Sequence, residues 1–167
     1  VTGKLVYTFE DQMESVKSVH FSPNGRLLAI ASAKEASLWD VETKKLLGTL
    51  PHEQAVNVVR FSPDGKLLGT ASDDGKVWLW DVASHKQRGE LDADADSSPD
   101  SAPWPVWALE FSPGGDLLAA ATLGRISMWR LPEKTLQGRL WQGGQSWAFF
   151  TADGTLYRHD LGDLLWR

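Results

Sequence analysis

The residues best equipped for chemistry lie in the middle of the chain, where His52 offers an imidazole and Asp74 a carboxylate. An imidazole held against a carboxylate makes a general-base pair, the arrangement that takes a proton from water or a hydroxyl. A second candidate is the acidic run Asp92-x-Asp94-x-Asp96-x3-Asp100, which has the opening spacing of a calcium loop. Its turn glycine is replaced by Ser97 and its closing glutamate by Pro103, so a solvated loop is the default reading. The other enzyme signatures are missing. Gly144-Gln145-Ser146-Trp147-Ala148 fails the GxSxG pattern at its last place, no GxxxxGK(S/T) or HExxH occurs, and there is no cysteine. His20, His85 and His159 stand alone and read as surface or structural residues. No catalytic residue, metal or cofactor is assigned, and the expectation is a protein that is not an enzyme.

What must position these side chains is a set of short strands joined by tight turns. In Phe61 to Val82 (FSPDGKLLGTASDDGKVWLWDV), Ser62-Pro63-Asp64-Gly65 has the residue order of a type I turn. Apolar runs rich in β-branched and aromatic residues flank it, Val56 to Phe61 on one side and Leu67 to Ala71 on the other. A third run, Val77 to Trp80, follows. The unit returns as FSPNG at Phe21, FSPGG at Phe111 and a worn FTADG at Phe150, with spacings of 40, 50 and 39 residues. Each copy then reaches a tryptophan, at Trp39, Trp80, Trp129 and Trp166. A period of about 40 residues built from strands and turns is the pattern of propeller blades.

With FSPxG turns and the closing Leu38-Trp39-Asp40 and Leu79-Trp80-Asp81, the sequence resembles the WD-repeat β-propeller family over nearly its whole length. The resemblance implies an all-β fold of four-stranded antiparallel blades in four repeats, at about 11–50, 51–91, 104–141 and 142–167. Lys4 to Phe9 (KLVYTF) aligns with the outer strands Lys45-Leu50, Lys86-Leu91 and Thr135-Leu140. It is expected as an N-terminal strand, 4–9, that completes the last blade. Four units are fewer than the seven or eight this family generally uses. Part of a larger propeller, half of an eight-bladed ring made by a homodimer, and a closed four-blade ring all stand open. The first ranks highest because the chain begins with Val1. Residues 92–103 form an acidic, Pro- and Ser-rich insertion, too polar to bury, which the resemblance places on the top face of the ring.

The resemblance also implies a buried set of His, Ser or Thr, Asp and Trp, matched in repeat two by His52, Ser72, Asp74 and Trp80. This structural reading is preferred to the catalytic one. Only the tryptophan survives in repeats one and three; repeat four keeps Asp160 before Trp166, with Trp141 in the place of His. Partner-contact positions carried over from the family fall on Met13, Ser15, Ser32, Glu53, Ala55, Asp73, Pro105 and Thr122. Trp104, between Pro103 and Pro105, is a further anchor candidate, with packing over a neighbouring blade as the equal alternative. Trp107 is expected to face core or channel, and Trp78 to join the core with Trp80, two residues on along the same strand face. Glu53, Asp73 and the aspartate loop would make the top face acidic, which suits a protein or peptide partner with a basic segment.

Composition narrows the classes. Hydrophobic residues make up 42% of the chain and tryptophan occurs nine times, which fits a globular protein. Net charge is −5, and much of that excess sits in the aspartate run, so a nucleic-acid partner is not expected. No apolar run approaches the ~20 residues of a membrane span, no signal peptide is visible, and a cytoplasmic interaction scaffold is the expectation. The rival reading is a sensor or regulatory propeller within a larger signalling protein or enzyme.

Overall fold

The computed structural model describes residues 3–5, 7–9, 15–33, 35–94, 102–131, 133–143, 146–151 and 156–159, with side chains described through residue 140. Every element in these residues is a strand. The first sheet runs β1 (Ser18–Phe21), β2 (Leu27–Ala31), β3 (Glu35–Asp40) and β4 (Lys45–Pro51), in chain order and antiparallel throughout. The second repeats it with β5 (Val56–Phe61), β6 (Leu67–Ser72), β7 (Lys76–Asp81) and β8 (Gln87–Asp92). The third opens with β9 (Ala108–Phe111), β10 (Leu117–Thr122), β11 (Arg125–Arg130) and β12 (Thr135–Gly143).

The turns form for the reasons their residues supply. Gly25, Gly65 and Gly115 each donate N–H to the carbonyl of Ser22, Ser62 or Ser112 and sit at φ near 71–77°, a region that glycine enters without strain. Each serine hydroxyl then accepts the N–H that starts the next strand, at Leu27, Leu67 or Leu117, so one side chain both closes the turn and sets the register. In every sheet the third and fourth strands slip by one residue just before the tryptophan, at Leu38/Trp39, Leu79/Trp80 and Met128/Trp129. Such a bulge re-aims the side chain beside it. All three indoles are buried, as expected of a packing series rather than a binding stripe.

The sheets cover one another face to face. Ala29, Ala31, Leu38 and Leu50 of the first sheet pack against Val59, Phe61, Leu68 and Trp80 of the second. Val77, Leu79 and Leu91 of the second pack against Leu109, Phe111 and Leu118 of the third. The outer strands come close to the next sheet: a Cβ on Gly48 would strike the His85 ring, while Gly89, at φ 153°, lies beside the Lys134 side chain. The inner strands β1, β5 and β9 lie side by side, as blades do around an axis.

Two expectations are corrected. The described strands of the fourth repeat, β13 (Ser146–Thr151) and β14 (Leu156–His159), do not begin a fourth sheet; β13 pairs with β12 and the third sheet becomes six-stranded. Four residues separate β4 from β5, enough to cross to the next sheet, but only Gly144 and Gln145 separate β12 from β13. A two-residue link with Gly first turns the chain back as a hairpin onto the edge it has just left. The strand expected at 4–9 is also absent: its described residues, 3–5 and 7–9, join no sheet. A strand needs an edge to pair with, and the partner foreseen for it, near Trp166, lies outside the described residues. Phe9 instead packs edge-on against Trp39, 5.4 Å between ring centres, on the open side of the first sheet.

Candidate functional site

The second sheet brings the polar candidates together, with one substitution in the cast. Trp80 Nε1–H donates to Thr70 Oγ1 at 3.0 Å, and Thr70 Oγ1 lies 2.8 Å from His52 Nε2. His52 Nδ1 is 2.9 Å from the Leu50 carbonyl. A carbonyl only accepts, so Nδ1 carries the proton, Nε2 is the acceptor in the neutral ring, and the Thr70 hydroxyl donates to it. The relay therefore runs Trp80 to Thr70 to His52 to the backbone. Ser72, expected in the place Thr70 holds, is buried on the same face but accepts only a long bond from Asp74 N–H, at 3.3 Å. Alternation puts residues 70 and 72 on one face, and the His52 and Trp80 side chains meet at the level of Thr70. Asp74 is not in the relay either. Its carboxylate accepts from Trp78 Nε1 at 3.0 Å and Lys76 N–H at 2.9 Å, which holds Trp78 beside the core. With both His52 nitrogens bonded elsewhere and Asp74 turned to Trp78, no general-base pair is assembled.

In the first sheet Trp39 Nε1–H donates to Ser37 Oγ on its own strand, so that blade satisfies its indole without a histidine. Met13, Asp160, Trp166 and the side chain of Trp141 lie outside the described residues.

Burial sets the charge state of two histidines. His52 is held below the ordinary 6.5 by burial, against the pull of its Leu50 bond and the Asp74 charge. His20 is lowered by burial and by the Arg60 charge, with Glu110 opposing; its Nδ1 accepts the Phe61 N–H at 3.1 Å, which ties the first sheet to the second. Both rings bind a proton more tightly in the unfolded chain, so protonation favours unfolding. Their contribution is whole above the unfolded value of 6.5 and is lost as pH falls through the folded values. Asp40, Asp64, Asp81 and Asp116, all lowered by hydrogen bonds, add their own loss only near or below 3.8. The melting temperature is therefore expected to be level above pH 7 and to drop as pH falls below 6.5, with the drop reduced in His20→Ala and in His52→Ala. A flat profile in both variants and wild type overturns this.

The loops at one end of the sheets gather most of the expected contact positions. Asp73 N–H donates to the Ala55 carbonyl at 3.0 Å, and the turn at Gly75 lies against Pro103 and the Trp104 carbonyl. Ala55, Asp73, Trp104 and Pro105 thus share one surface, with Glu53 exposed in the same loop as Ala55. Trp104 is 45% exposed, which favours an anchor over a packed plug. Ser15 is exposed at φ 61°. Ser32 and Thr122 are corrections: both are buried. Ser32 is used up in the seam, its hydroxyl donating to Glu35 and its carbonyl accepting the Val56 N–H.

Beneath this surface an open cleft of about 840 Å3 runs between the inner strands, with Lys17, Asn57, Arg60, Trp107 and Glu110 on its walls. Trp107 is exposed and faces it, the channel alternative of its expectation. The residue foreseen by nothing in the motif is Asn57. It is buried, accepts Lys17 Nζ at 2.7 Å and donates to Asp73 Oδ1 at 2.7 Å and the Val106 carbonyl at 3.2 Å. One amide thereby ties Lys17 on the cleft wall to Asp73 in the loop above, and Lys17 Nζ also lies 6.0 Å over the Trp107 ring. An uncharged amide set between Val56 and Val58, at the start of the strand, was the available signal.

The insertion is not solvated at its base. Asp94 is 3% exposed; its carboxylate accepts the Trp104 N–H at 2.9 Å and an Arg125 guanidinium N–H at 3.5 Å. These partners supply what water would have supplied, which reverses the expectation for this residue. Among the described residues no group of acidic and histidine side chains is arranged to hold a metal ion.

Comparison with known proteins agrees with the architecture. The family model for the WD domain, G-beta repeat, matches residues 44–81 and 97–130, and that for the anaphase-promoting complex subunit 4 WD40 domain matches residues 1–59. The chain is 35% identical over 107 residues to the retinoblastoma-binding-like protein E of Dictyostelium discoideum, covering 62% of this chain and 19% of that protein. It is 32% identical over 136 residues to the MST50-interacting protein 11 of Pyricularia oryzae, covering 79% of this chain and 40% of that one. It therefore spans less than half the length of either relative. With its FSPxG turns, its indole in each third strand and its stacked four-stranded units, the chain belongs to the WD-repeat family.

Proposed function

We propose that the chain is a non-catalytic interaction module whose top face binds a protein or peptide segment bearing lysine or arginine. The observation that carries this is exposed Trp104 on the same surface as Glu53 and Asp73, whose carboxylate already draws the Lys17 amine to 4.0 Å and so shows the kind of cation this surface takes. An exposed indole beside two prolines offers large contact area at small entropic cost, and nearby carboxylates favour a cationic partner. Asn57 holds the Asp73 carboxylate from behind, so it is presented rather than free to turn away. Both relatives are named for proteins they bind or interact with, which supports a binding role. No bond-making step enters the proposal, since His52 has both nitrogens engaged.

The test is an array of immobilised peptides of graded charge, probed with the chain and with Trp104→Ala and Glu53→Lys. Basic peptides are expected to be retained, with about a tenfold or greater loss in Trp104→Ala. Glu53→Lys is expected to weaken retention of basic peptides and to spare neutral ones. Retention that ignores peptide charge, or is unchanged in Trp104→Ala, overturns the reading.

A further inference from the structure

Lys17, Asn57 and Trp107 hold one position in three repeats: each stands four residues before the phenylalanine of its own FSPxG turn. The inner strands lie side by side, so the three side chains form a row across the three sheets. In that row an ammonium meets an amide oxygen and an indole. Lys17 Nζ donates to Asn57 Oδ1 at 2.7 Å, stands 6.0 Å over the Trp107 ring and reaches Asp73 Oδ2 at 4.0 Å. An amide oxygen, a carboxylate and a ring face are also what the amine or guanidinium of another chain would seek.

The receiving half of this contact stands without the lysine. Asn57 Nδ2 donates to Asp73 Oδ1 at 2.7 Å and to the Val106 carbonyl at 3.2 Å, and Asp73 N–H is held by the Ala55 carbonyl. None of these bonds involves Lys17, so its departure leaves the acceptors aimed as before. Asn57 is buried, and an acceptor there calls for a replacement donor once Lys17 has gone. The lysine itself is held more loosely. Its ion pair is long, the two charged side chains are 29% and 34% exposed, and pairs so placed add little. A flexible four-carbon stem also recovers its rotamers on leaving.

We infer that Lys17 is a place-holder in a cation site made by Asn57, Asp73 and Trp107, and that a lysine or arginine side chain of the bound segment enters by displacing it. This rests on the top-face reading of the function, and it names where the partner's charge is read and what competes for the place. A competitor on the same chain acts at a fixed and high local concentration. It therefore sets a threshold: a segment without a cation gains nothing here and leaves Lys17 in position.

The probe is a hexapeptide alternating glycine and arginine, with glutamine in place of arginine as the uncharged control. The full chain is acetylated with an N-hydroxysuccinimide ester, which arginine does not consume, and each lysine is read by mass spectrometry. Lys17 is expected to react more slowly than exposed Lys45 in the free chain, and severalfold faster once the arginine peptide is bound. The glutamine peptide should change nothing. Lys17→Met keeps the stem and removes the charge, and is expected to bind the arginine peptide about three- to tenfold more tightly. That gain should vanish when Asp73→Asn is already present, because the contact it relieves is gone. A gain that survives Asp73→Asn is long-range charge and overturns the inference. Wild type that retains the peptide while Lys17 reacts no faster, or while Lys17→Met binds no better, also overturns it and leaves the top-face reading standing. Retention by neither wild type nor Lys17→Met overturns both. Retention by Lys17→Met alone supports both, with the place-holder strong enough to close the site.

Discussion

Replacing Thr70 by valine is expected to lower stability by about 2–4 kcal/mol, while Ser72→Ala is expected to lower it by about 1 kcal/mol or less. Valine keeps the shape of threonine and removes only the hydroxyl. Its loss leaves two buried groups unanswered: the Trp80 indole N–H and His52 Nε2 both meet that one oxygen. An unsatisfied buried polar group costs roughly 1–3 kcal/mol, and two of them set the larger figure. Ser72 gives only the 3.3 Å bond from Asp74 N–H, to a turn that Asp74 also caps through Lys76 N–H. In a chain of this size 1 kcal/mol moves the melting temperature by about 2–4 °C, so the two variants separate clearly in a thermal melt. His52→Ala alone should cost about 1–3 kcal/mol, and should cost much less when Thr70 is already valine, because the bond it would break is gone. Ser72→Ala proving as harmful as Thr70→Val would mean that the relay has been traced through the wrong hydroxyl.

That contrast separates features written locally in the sequence from those set by neighbours in space. The turns are local, and Ser-Pro-x-Gly names them without any knowledge of neighbours, which is why Ser22, Ser62 and Ser112 do what their residue types promise. The indoles are equally plain because they recur once per unit. The hydroxyl partner of Trp80 is not, since residues 70 and 72 share a face and the slip at Leu79/Trp80 decides where the ring lands. The fourth repeat failed for another reason. The 39-residue repeat spacing runs across Gly144-Gln145, a two-residue link too short to reach a new sheet, and β12 and β13 pair with each other. Val19 and Val59 look alike in sequence; their difference is the neighbour, which no motif records.

Asp94→Ala is the second large effect, expected at about 2–4 kcal/mol, with a consequence for binding as well. Asp94 closes the base of the insertion. Its carboxylate accepts from Trp104 N–H on the far arm and from Arg125 on the third sheet, and its own N–H is held by Asp92 Oδ1. All of this sits over Gly75, at φ 78°, where a Cβ would come within 3.1 Å of Pro103 and 3.3 Å of Asp94. Alanine strands the Trp104 N–H and removes a carboxylate that is itself buried, and a buried hydrogen bond left unmade costs the desolvation of the group that remains. Asp94→Asn keeps an oxygen for Trp104 and loses the charge, so it should fall between alanine and wild type. The binding consequence follows from position rather than chemistry: Trp104 is still present in Asp94→Ala, but nothing fixes its backbone. Peptide retention should therefore drop toward that of Trp104→Ala, and proteolysis between residues 92 and 104 should quicken. Retention equal to wild type, with the melting temperature lowered as expected, would show that Asp94 serves the fold alone and that Trp104 needs no clasp to do its work.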